Sequence, residues 1–410
     1  MIAYADRVEK LPPYIFADLE RLQKDLERRR VDIISLGIGD PDLPPPRIIT
    51  ESLMDALNDS DSNNYPSSAG EEYFRKAVAE WYQKRFDVTL DPEREVCALI
   101  GSKEGLATVG RLILNPGDKA LVPDPAYPVY AQGATILSDA VPAVFPLRPE
   151  DDFQPDFSNI TVPDRTKLLF LNYPNNPTGA VATEKTLKAT VDFCNDYGLV
   201  LCYDNAYSEV SFDSYRPPSP LQIDGAGSCT IEFNSCSKMF NMTGYRIGFA
   251  VGHEKIITGM KKLKTQVDSG TPKFVQKAAS IALRRYFDND LSRELRGNRR
   301  VVKERLDILA KGLRKIGLTA TIPRATFYLW VNVEMDGVQF VKQLLKTGVV
   351  ATPGSAFGNN GTNYVRFSVT QPTDKISEAV ERIEKIELDR PVSQAAMSGV
   401  LRHRGRVRYC

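Results

Sequence analysis

The sequence predicts an α/β fold, with a mainly parallel seven-stranded sheet in a large domain followed by a smaller α+β domain. Seven short apolar runs lie between residues 96 and 251, and helical stretches separate several of them. Apolar and polar residues do not alternate strictly within the runs, which is typical of a sheet covered by helices on both faces. The runs span 96–100, 119–122, 141–147, 167–171, 199–203, 229–233 and 247–251.

The helical periodicity agrees with this arrangement. In the stretch 184–197, Leu187, Val191 and Cys194 share one helical face, as expected for a helix that packs on a sheet. The predicted helices between strands span 103–114, 127–137 and 184–197. Long helical stretches from 273 to 316 then precede the smaller unit, whose predicted strands span 327–331, 349–352 and 364–368.

These patterns divide the 410 residues into four parts. Residues 1–45 are expected to form an N-terminal arm and part of the smaller domain, and 46–275 the large domain. Residues 276–390 are expected to form most of the C-terminal smaller domain. The segment 391–410 has few large apolar residues and several arginines, so we expect a flexible basic tail.

Composition excludes several classes of function. Lys and Arg number 53 against 52 Asp and Glu, so no overall charge favours nucleic acid or an anionic membrane. With only two histidines and no C-x-x-C pair, we expect neither a metal site nor a Ser-His-Asp triad. No run approaches the ~18 apolar residues of a membrane span, and six scattered cysteines suit a reducing compartment. We therefore expect a cytoplasmic protein.

Polar side chains follow the predicted strands, where a parallel sheet binds its ligands. After strand 96–100 comes G-S-K-E-G, in which Ser102 is expected to cap a helix whose N-terminus can receive an anion, with Lys103 beside it. Tyr127 follows strand 119–122 in a proline-stiffened turn, and Asn176 follows strand 167–171.

Two further strand ends carry charged groups. Asp204 and Tyr207 follow strand 199–203, three residues apart. Strand 229–233 leads into S-C-S-K-M-F-N-M-T-G-Y-R-I-G, which holds Ser235, Ser237, Lys238 and Arg246. A lysine placed among hydroxyls and near a second cation can form a Schiff base with an aldehyde. The sequence alone also allows an ordinary serine-rich surface loop.

Together these groups suit a planar, phosphorylated, nitrogen-containing aldehyde, and pyridoxal 5′-phosphate meets each demand. Lys238 would bond its aldehyde carbon, and Asp204 would keep the ring nitrogen protonated. The phosphate would be held by Ser102, Ser235 and Arg246, with Ser237 and Lys103 nearby. The ring would be held by Tyr127, Tyr207 and Asn176.

The motifs resemble the class I and II aminotransferases of pyridoxal-phosphate fold type I, from about residue 14 to 386. The signature consists of N-N-P-T-G at 175–179, D-x-x-Y at 204–207 and S-x-S-K-x-x-x-x-x-G-x-R-x-G at 235–248. The stretches L-P-P-Y-I-F, L-G-I-G-D-P-D, G-S-K-E-G and A-T-F-Y-L-W-V are similar to the LL-diaminopimelate aminotransferase branch of that family.

The resemblance implies further roles. Arg366 matches the arginine that binds the substrate α-carboxylate, with help from Asn176 and the Gly39 backbone. Before this, the sequence left open whether Arg366 points inward or to solvent. Tyr65 matches a tyrosine that reaches the cofactor phosphate of the neighbouring subunit, which implies a homodimer. Tyr14 and Lys103 match positions that line the substrate pocket.

The expected reaction moves an amino group from LL-diaminopimelate to 2-oxoglutarate, giving tetrahydrodipicolinate and glutamate on the route to lysine. One departure from the branch is Ser68, which stands where plant-type members carry a glutamate for the distal ammonium. A broad aspartate- or alanine-type aminotransferase therefore remains an alternative. So does a β-eliminating lyase or an aminocyclopropane-carboxylate synthase-like enzyme, because these share the three signatures. A regulator with an added DNA-binding domain is disfavoured.

Overall fold

The computed structural model describes residues 2–13, 21, 23–26 and 28–386. Two predictions, the substrate-binding role of Tyr14 and the flexible tail 391–410, lie outside the described residues. Within the described part of the chain, no helix is both long and apolar enough to cross a membrane.

A seven-stranded sheet forms the centre of the large unit. Its strands run in the order β2-β8-β7-β6-β5-β3-β4. Only β8 runs antiparallel to its neighbours, and the other pairs are parallel, so the predicted mainly parallel sheet is confirmed. The strands are β2 (Val96–Leu99), β3 (Lys119–Asp124), β4 (Val141–Pro146), β5 (Thr166–Asn172), β6 (Val200–Asp204), β7 (Thr230–Ser235) and β8 (Gly248–Gly252).

Strand register brings the predicted site residues to one edge. Asn172 at the end of β5 pairs with Asp204 at the end of β6, and Asp204 pairs with Phe233 on β7. Two residues further along β7, Ser235 pairs with Gly248 on β8. The carboxyl ends of three parallel strands therefore meet where the chain continues into Lys238.

The smaller unit is built on two short sheets. Three antiparallel strands follow the order β11-β12-β9, and β1 (Ile34–Ser35) pairs with β10 (Val349–Val350) in parallel. The three are β9 (Tyr328–Asn332), β11 (Thr352–Pro353) and β12 (Tyr364–Ser368). The single strand predicted at 349–352 is wrong: β10 and β11 belong to different sheets, because the chain leaves the first sheet at Ala351.

The described α-helices mostly lie where the periodicity predicts them, and one prediction needs correction. The helical stretches predicted from 273 to 316 are two helices with a break before Asn289. The predicted helix 127–137, by contrast, is a π-helix, Tyr130–Thr135, followed by a 3₁₀ turn. In the wider π-turn, Thr135 Oγ1 donates to the Tyr130 carbonyl at 2.7 Å. The α-helices are Asp6–Glu9, Arg47–Leu57, Glu72–Phe86, Ser102–Ile113, Glu184–Tyr197, Cys236–Met239, Glu254–Lys264, Lys273–Arg284, Asn289–Lys315, Gly337–Lys346 and Thr373–Ile383.

Apolar side chains cover both faces of the large sheet, as the continuous apolar strands require. One cluster gathers Trp81 and Phe249, and another gathers Leu106 and Phe170. A separate core fills the smaller unit and includes Leu309 and Phe367. These cores fix the strand ends, and with them the loops that carry polar side chains.

Candidate active site

A cavity of about 330 Å³ opens at the carboxyl ends of the central strands, within the size range of small-ligand sites. It brings together polar groups from the large unit, the smaller unit and the segment before β2. Its lining includes Gly39, Asp40, Ser102, Lys103, Tyr127, Asn176, Asp204, Tyr207, Ser235, Ser237, Lys238, Arg246, Tyr328 and Arg366.

Lys238 lies in the short helix that follows β7, with its amine directed into the cavity. Nζ donates a hydrogen bond to the Gly39 carbonyl at 3.0 Å. The pKa of Lys238 is lowered to about 8, mainly by burial; Asp40 opposes the shift, and the nearby cations Arg246 and Arg366 contribute to it. A larger share of this amine is therefore neutral, and so nucleophilic, than in an ordinary lysine.

This lowered pKa predicts the pH at which Lys238 becomes reactive. In the cofactor-free protein, reductive methylation of Lys238 is expected to reach half its maximal rate at about pH 8. An exposed lysine reaches half its maximal rate at about pH 10.4. The rate rises with pH because only the neutral amine attacks. Mass spectrometry of the peptide carrying Lys238 measures it, and a midpoint near that of exposed lysines would contradict the prediction.

Asp204 ends β6 as a buried carboxylate facing the cavity. Tyr130 Oη donates to its Oδ2 at 2.8 Å, and the Ala206 N–H donates to Oδ1 at 3.3 Å. Burial raises the pKa of Asp204 to about 6, and the two hydrogen bonds work against that rise. Above that pH the group is a fixed negative charge in a dry site, which strongly favours a positively charged partner.

A set of hydroxyls, backbone N–H groups and one guanidinium forms an anion-binding end of the cavity. Ser102 begins a helix of 12 residues, whose free N–H groups and dipole favour an anion. Arg246 donates to the Ile100 and Thr243 carbonyls at 3.2 and 2.8 Å, which holds its guanidinium beside that helix start. Ser235 and Ser237 are both buried.

The prediction that Ser102 caps this helix is wrong, because Gly101 occupies the capping position and Ser102 is the first helical residue. Gly101 has φ +105°, a conformation that other residues rarely adopt. A Cβ at this position would also lie 2.5 Å from Nη2 of Arg246. The glycine therefore lets the backbone and the guanidinium approach the same point.

Arg366 points inward, which settles the alternative that the sequence left open. Its side chain is 2% exposed. Nη1 donates to Asn176 Oδ1 at 2.8 Å, and Nη2 donates to the Gly37 carbonyl at 2.7 Å. The guanidinium lies 4.2 Å from the centre of the Tyr328 ring and 4.7 Å from that of Phe357. This buried cation lines the same cavity as Lys238, where it can bind a substrate carboxylate.

Two tyrosines link the large and small units beside Lys238. The hydroxyls of Tyr207 and Tyr328 lie 3.1 Å apart, and burial raises the pKa of Tyr207 well above its usual value. Tyr207 therefore stays protonated and can donate a hydrogen bond. A Cβ on Gly39 would lie 2.0 Å from Tyr328 Oη, so a glycine is needed where that backbone meets the ring.

The remaining predicted residues divide into two groups. Lys103 and Tyr127 lie together in the cavity, with Lys103 Nζ 5.9 Å from the centre of the Tyr127 ring. Tyr65 does not line the cavity of its own chain and is 86% exposed.

Sequence reasoning missed Tyr130, Tyr328 and Asp40 as site residues. Tyr130 follows Tyr127 by three residues in the same strand-end loop, and this pairing of aromatics was a usable signal. Tyr328 stands in the apolar run F-Y-L-W-V, where it looks like any core residue of a strand. Only the packing of that strand on the cavity distinguishes it.

The chemistry of these side chains fits pyridoxal 5′-phosphate. Lys238 would hold the aldehyde carbon, and Asp204 would pair with the ring nitrogen. The start of the helix at Ser102, with Ser235 and Arg246, would receive the phosphate. Each chemical requirement of the cofactor is thus met by a side chain that lines this cavity.

Known proteins give an independent comparison. The sequence profile described as aminotransferase class I and II matches residues 31–383. An LL-diaminopimelate aminotransferase from Aquifex aeolicus is 45% identical over 393 residues, covering 95% of this chain and 100% of that protein. Another protein of that name, from Desulforudis audaxviator, is 46% identical and covers 92% of this chain and 96% of its own.

Solved structures agree with the sequence comparison. Substrate-bound BacF from Bacillus subtilis superimposes with a TM-score of 0.89 at 37% identity, covering 94% of this chain and 98% of that one. Aspartate aminotransferase from Thermus thermophilus, solved with maleate, gives 0.88 at 28% identity, covering 94% and 99%. The predictions of fold type I and of an aminotransferase are confirmed. The chain belongs to the class I and II aminotransferases, which are pyridoxal-phosphate-dependent enzymes.

Proposed function

We propose that the protein transfers the amino group of LL-diaminopimelate to 2-oxoglutarate, yielding tetrahydrodipicolinate and glutamate in lysine biosynthesis. The observation that carries the proposal is one cavity that holds both an amine of lowered pKa, Lys238, and a buried cation, Arg366, to which a carboxylate could bind. Relatives about 45% identical over nearly the whole chain are LL-diaminopimelate aminotransferases, which supports this substrate over other amino acids.

In the proposed mechanism, bound pyridoxal 5′-phosphate supplies an electron sink that stabilises negative charge on the substrate Cα. The chain's own groups bind the substrate and move its proton. Lys238 Nζ removes the Cα proton as general base, and its pKa of about 8 suits that role near neutral pH. Asp204 would hold negative charge beside the ring nitrogen, and the hydroxyl of Tyr207, which lies 3.1 Å from that of Tyr328, would donate a hydrogen bond to the ring.

Arg366 and Asn176 orient the substrate. The guanidinium is fixed by Asn176 Oδ1 and the Gly37 carbonyl, so a carboxylate that binds it meets a donor already in position. This fixed geometry sets the Cα–H bond toward Lys238, which lines the same cavity.

Arg366→Lys tests this role. Lysine keeps the charge but loses the planar fork that binds a carboxylate through two hydrogen bonds. We expect kcat/KM to fall by at least about 100-fold, mostly through KM, because binding and orientation are lost together. Steady-state kinetics with varied amino acid measures it. Arg314→Lys is a matched control, since Arg314 donates to the Ala320 carbonyl of the smaller unit and does not line the cavity. An unchanged KM in Arg366→Lys would show that Arg366 does not bind the substrate carboxylate.

The distal end of the substrate is part of the proposal. Lys103, beside Tyr127, and Tyr14, outside the described residues, are proposed to line this end. Ser68, which replaces the glutamate of plant-type enzymes, has its hydroxyl 3.4 Å from the Asp268 carbonyl. Recognition of the distal ammonium therefore rests on groups other than a carboxylate at that position.

The proposed assembly is a homodimer in which Tyr65 reaches the neighbouring site. The ring is 86% exposed in its own chain, as a residue used by a partner would be. We expect Tyr65→Ala to be at least about tenfold less active, because a phosphate contact is lost. A refolded equal mixture of Tyr65→Ala and Lys238→Ala should recover up to about a quarter of wild-type activity, since half the dimers carry one complete site.

The control for this mixture is each variant refolded alone. If Tyr65 serves its own subunit, the mixture will be no more active than Tyr65→Ala diluted twofold. The proposal that Tyr65 reaches the neighbouring site is then wrong.

The proposed compartment is the cytoplasm. Five cysteines are free and buried, which suits a reducing environment: Cys97, Cys194, Cys202, Cys229 and Cys236.

A half-reaction screen tests the substrate. The purified pyridoxal-phosphate form is mixed with one amino acid at a time, and conversion to pyridoxamine phosphate is followed by absorbance. We expect rapid conversion with LL-diaminopimelate and conversion at least about tenfold slower with aspartate or alanine, a preference of the size that a few substrate contacts give. Equal rates with all three would favour the broad-specificity alternative. Release of ammonia or pyruvate when no oxo acid has been added as amino-group acceptor would favour the lyase alternative.

A further inference from the structure

A second cleft, of about 520 Å³, lies between the long helix Asn289–Lys315, Arg85 and the loop around residues 211–216. None of the described residues that are proposed to bind cofactor or substrate lines it. Six of its side chains are basic and two are acidic. The basic groups are Arg85, Arg216, Arg296, Arg299, Arg300 and Lys303.

The long helix supplies four of these cations from one face. Arg296, Arg299, Arg300 and Lys303 follow the spacing i, i+3, i+4 and i+7, which places them side by side along the helix. Like charges at this spacing repel one another. All four line the same concave surface, so a ligand of opposite charge would relieve the repulsion.

The two carboxylates of the cleft are already paired. Glu209 accepts from Arg85 Nε at 3.0 Å, with both side chains buried, and Asp213 pairs with Lys303. Glu209 also accepts a hydrogen bond from the Tyr286 hydroxyl. In the described part of the chain, no salt bridge to a carboxylate joins Arg216, Arg296, Arg299 or Arg300. Arg296 donates to the Ser292 hydroxyl and Arg299 to the Glu209 carbonyl, but neither acceptor carries a charge. The positive charge of the four guanidinium groups is therefore available to an anionic ligand.

The cleft is adjacent to the active site without being part of it. A small neighbouring cavity is lined by Glu209, Arg299 and Lys238. Arg299 also donates to the Glu209 carbonyl at 3.4 Å. A ligand in the cleft would thus contact residues that line a second cavity together with Lys238.

We propose that this cleft binds a small anion carrying several negative charges on phosphate or carboxylate groups. Arginine forks bind such oxyanions through paired, charge-assisted hydrogen bonds. The cleft has the volume of a small-molecule site, which favours a small ligand over a polynucleotide.

The test is calorimetric titration of the pyridoxal-phosphate holoenzyme, in which the cofactor's own phosphate site is filled. Inorganic pyrophosphate and citrate are titrated separately, so that phosphate and carboxylate ligands are distinguished. We expect one site per chain for at least one of them. The double variant Arg296→Ser/Arg300→Ser should weaken this binding by at least about tenfold, because two charge-assisted contacts are lost.

Arg293→Ser is the matched control, since Arg293 lies on the same helix but is 78% exposed and pairs with Asp290 outside the cleft. It should bind the anion as the wild type does. Equal weakening in both variants, binding that survives the double variant, or saturable binding of a single-stranded oligonucleotide alone would overturn the proposal. These binding measurements do not require catalysis, so their outcome is independent of the half-reaction screen that tests the amino-group donor.

Discussion

Replacing Lys238 with alanine is expected to lower transamination by at least about 10⁴-fold, because one side chain supplies both the covalent link to the cofactor and the general base. No second amine can take over these roles readily. Lys103, the other lysine lining the cavity, lies 5.9 Å from the centre of the Tyr127 ring, at the side of the cavity proposed for the substrate's distal end. Steady-state rates and the absorbance of the lysine-linked cofactor measure the two losses separately.

Lys255→Ala is the control for this variant, because Lys255 is exposed at the start of a helix on the far side of β8. It should match the wild type in both measurements. In the cofactor-free protein, removal of the Lys238 amine costs the hydrogen bond to the Gly39 carbonyl, so the thermal midpoint of that form should hardly change. Turnover close to wild type in a folded Lys238→Ala protein would show that Lys238 is not the catalytic lysine.

The sheet could be predicted from the sequence because burial imposes a visible pattern on it. Strands covered on both faces are mostly apolar, and Phe170 on β5 and Phe233 on β7 lie in the core on that account. Helix Glu184–Tyr197 could be predicted equally well, because its apolar stripe has to face the sheet.

The local errors arise where tertiary contacts override the local pattern. The stretch 127–137 has a helical composition, but its chain widens into a π-helix next to helix Ser102–Ile113, where Gly110 allows close approach to the Ala134 carbonyl. The run 349–352 is typical of one strand, whereas one sheet takes Val349 and Val350 and another takes Thr352 with Pro353. Neither partner can be identified from the run itself.

The candidate site also contains some residues that could be predicted from the sequence and some that could not. Lys238 and Asp204 were predictable because charged groups directly after apolar strands must lie at a sheet edge. Tyr130 offered a weaker signal, as a second aromatic in a strand-end loop, but its contact with Asp204 spans a long stretch of chain. Tyr328 offered none, since its role comes from its contact with Tyr207. The roles of individual residues and the domain boundaries at 45, 275 and 390 remain predictions.

Replacing Asp204 with asparagine is expected to lower the rate of the first half-reaction by about 10³-fold, because the ring nitrogen loses the charge that keeps it protonated. Asparagine has nearly the same shape, and its side-chain oxygen can still accept from Tyr130 Oη, which now lies 2.8 Å from Oδ2. The charge is therefore removed with little change in packing. Stopped-flow absorbance with LL-diaminopimelate gives the rate directly.

Asp124→Asn is the matched control. Asp124 ends β3 as Asp204 ends β6, and burial raises the pKa of both carboxyls. Its oxygens accept from the backbone N–H groups of Asn359 and Asn360, and it does not line the cavity. Loss of its charge should leave the half-reaction near the wild-type rate. If the two variants lose equal activity, the effect comes from altered strand ends and the negative charge of Asp204 has no special role in the chemistry.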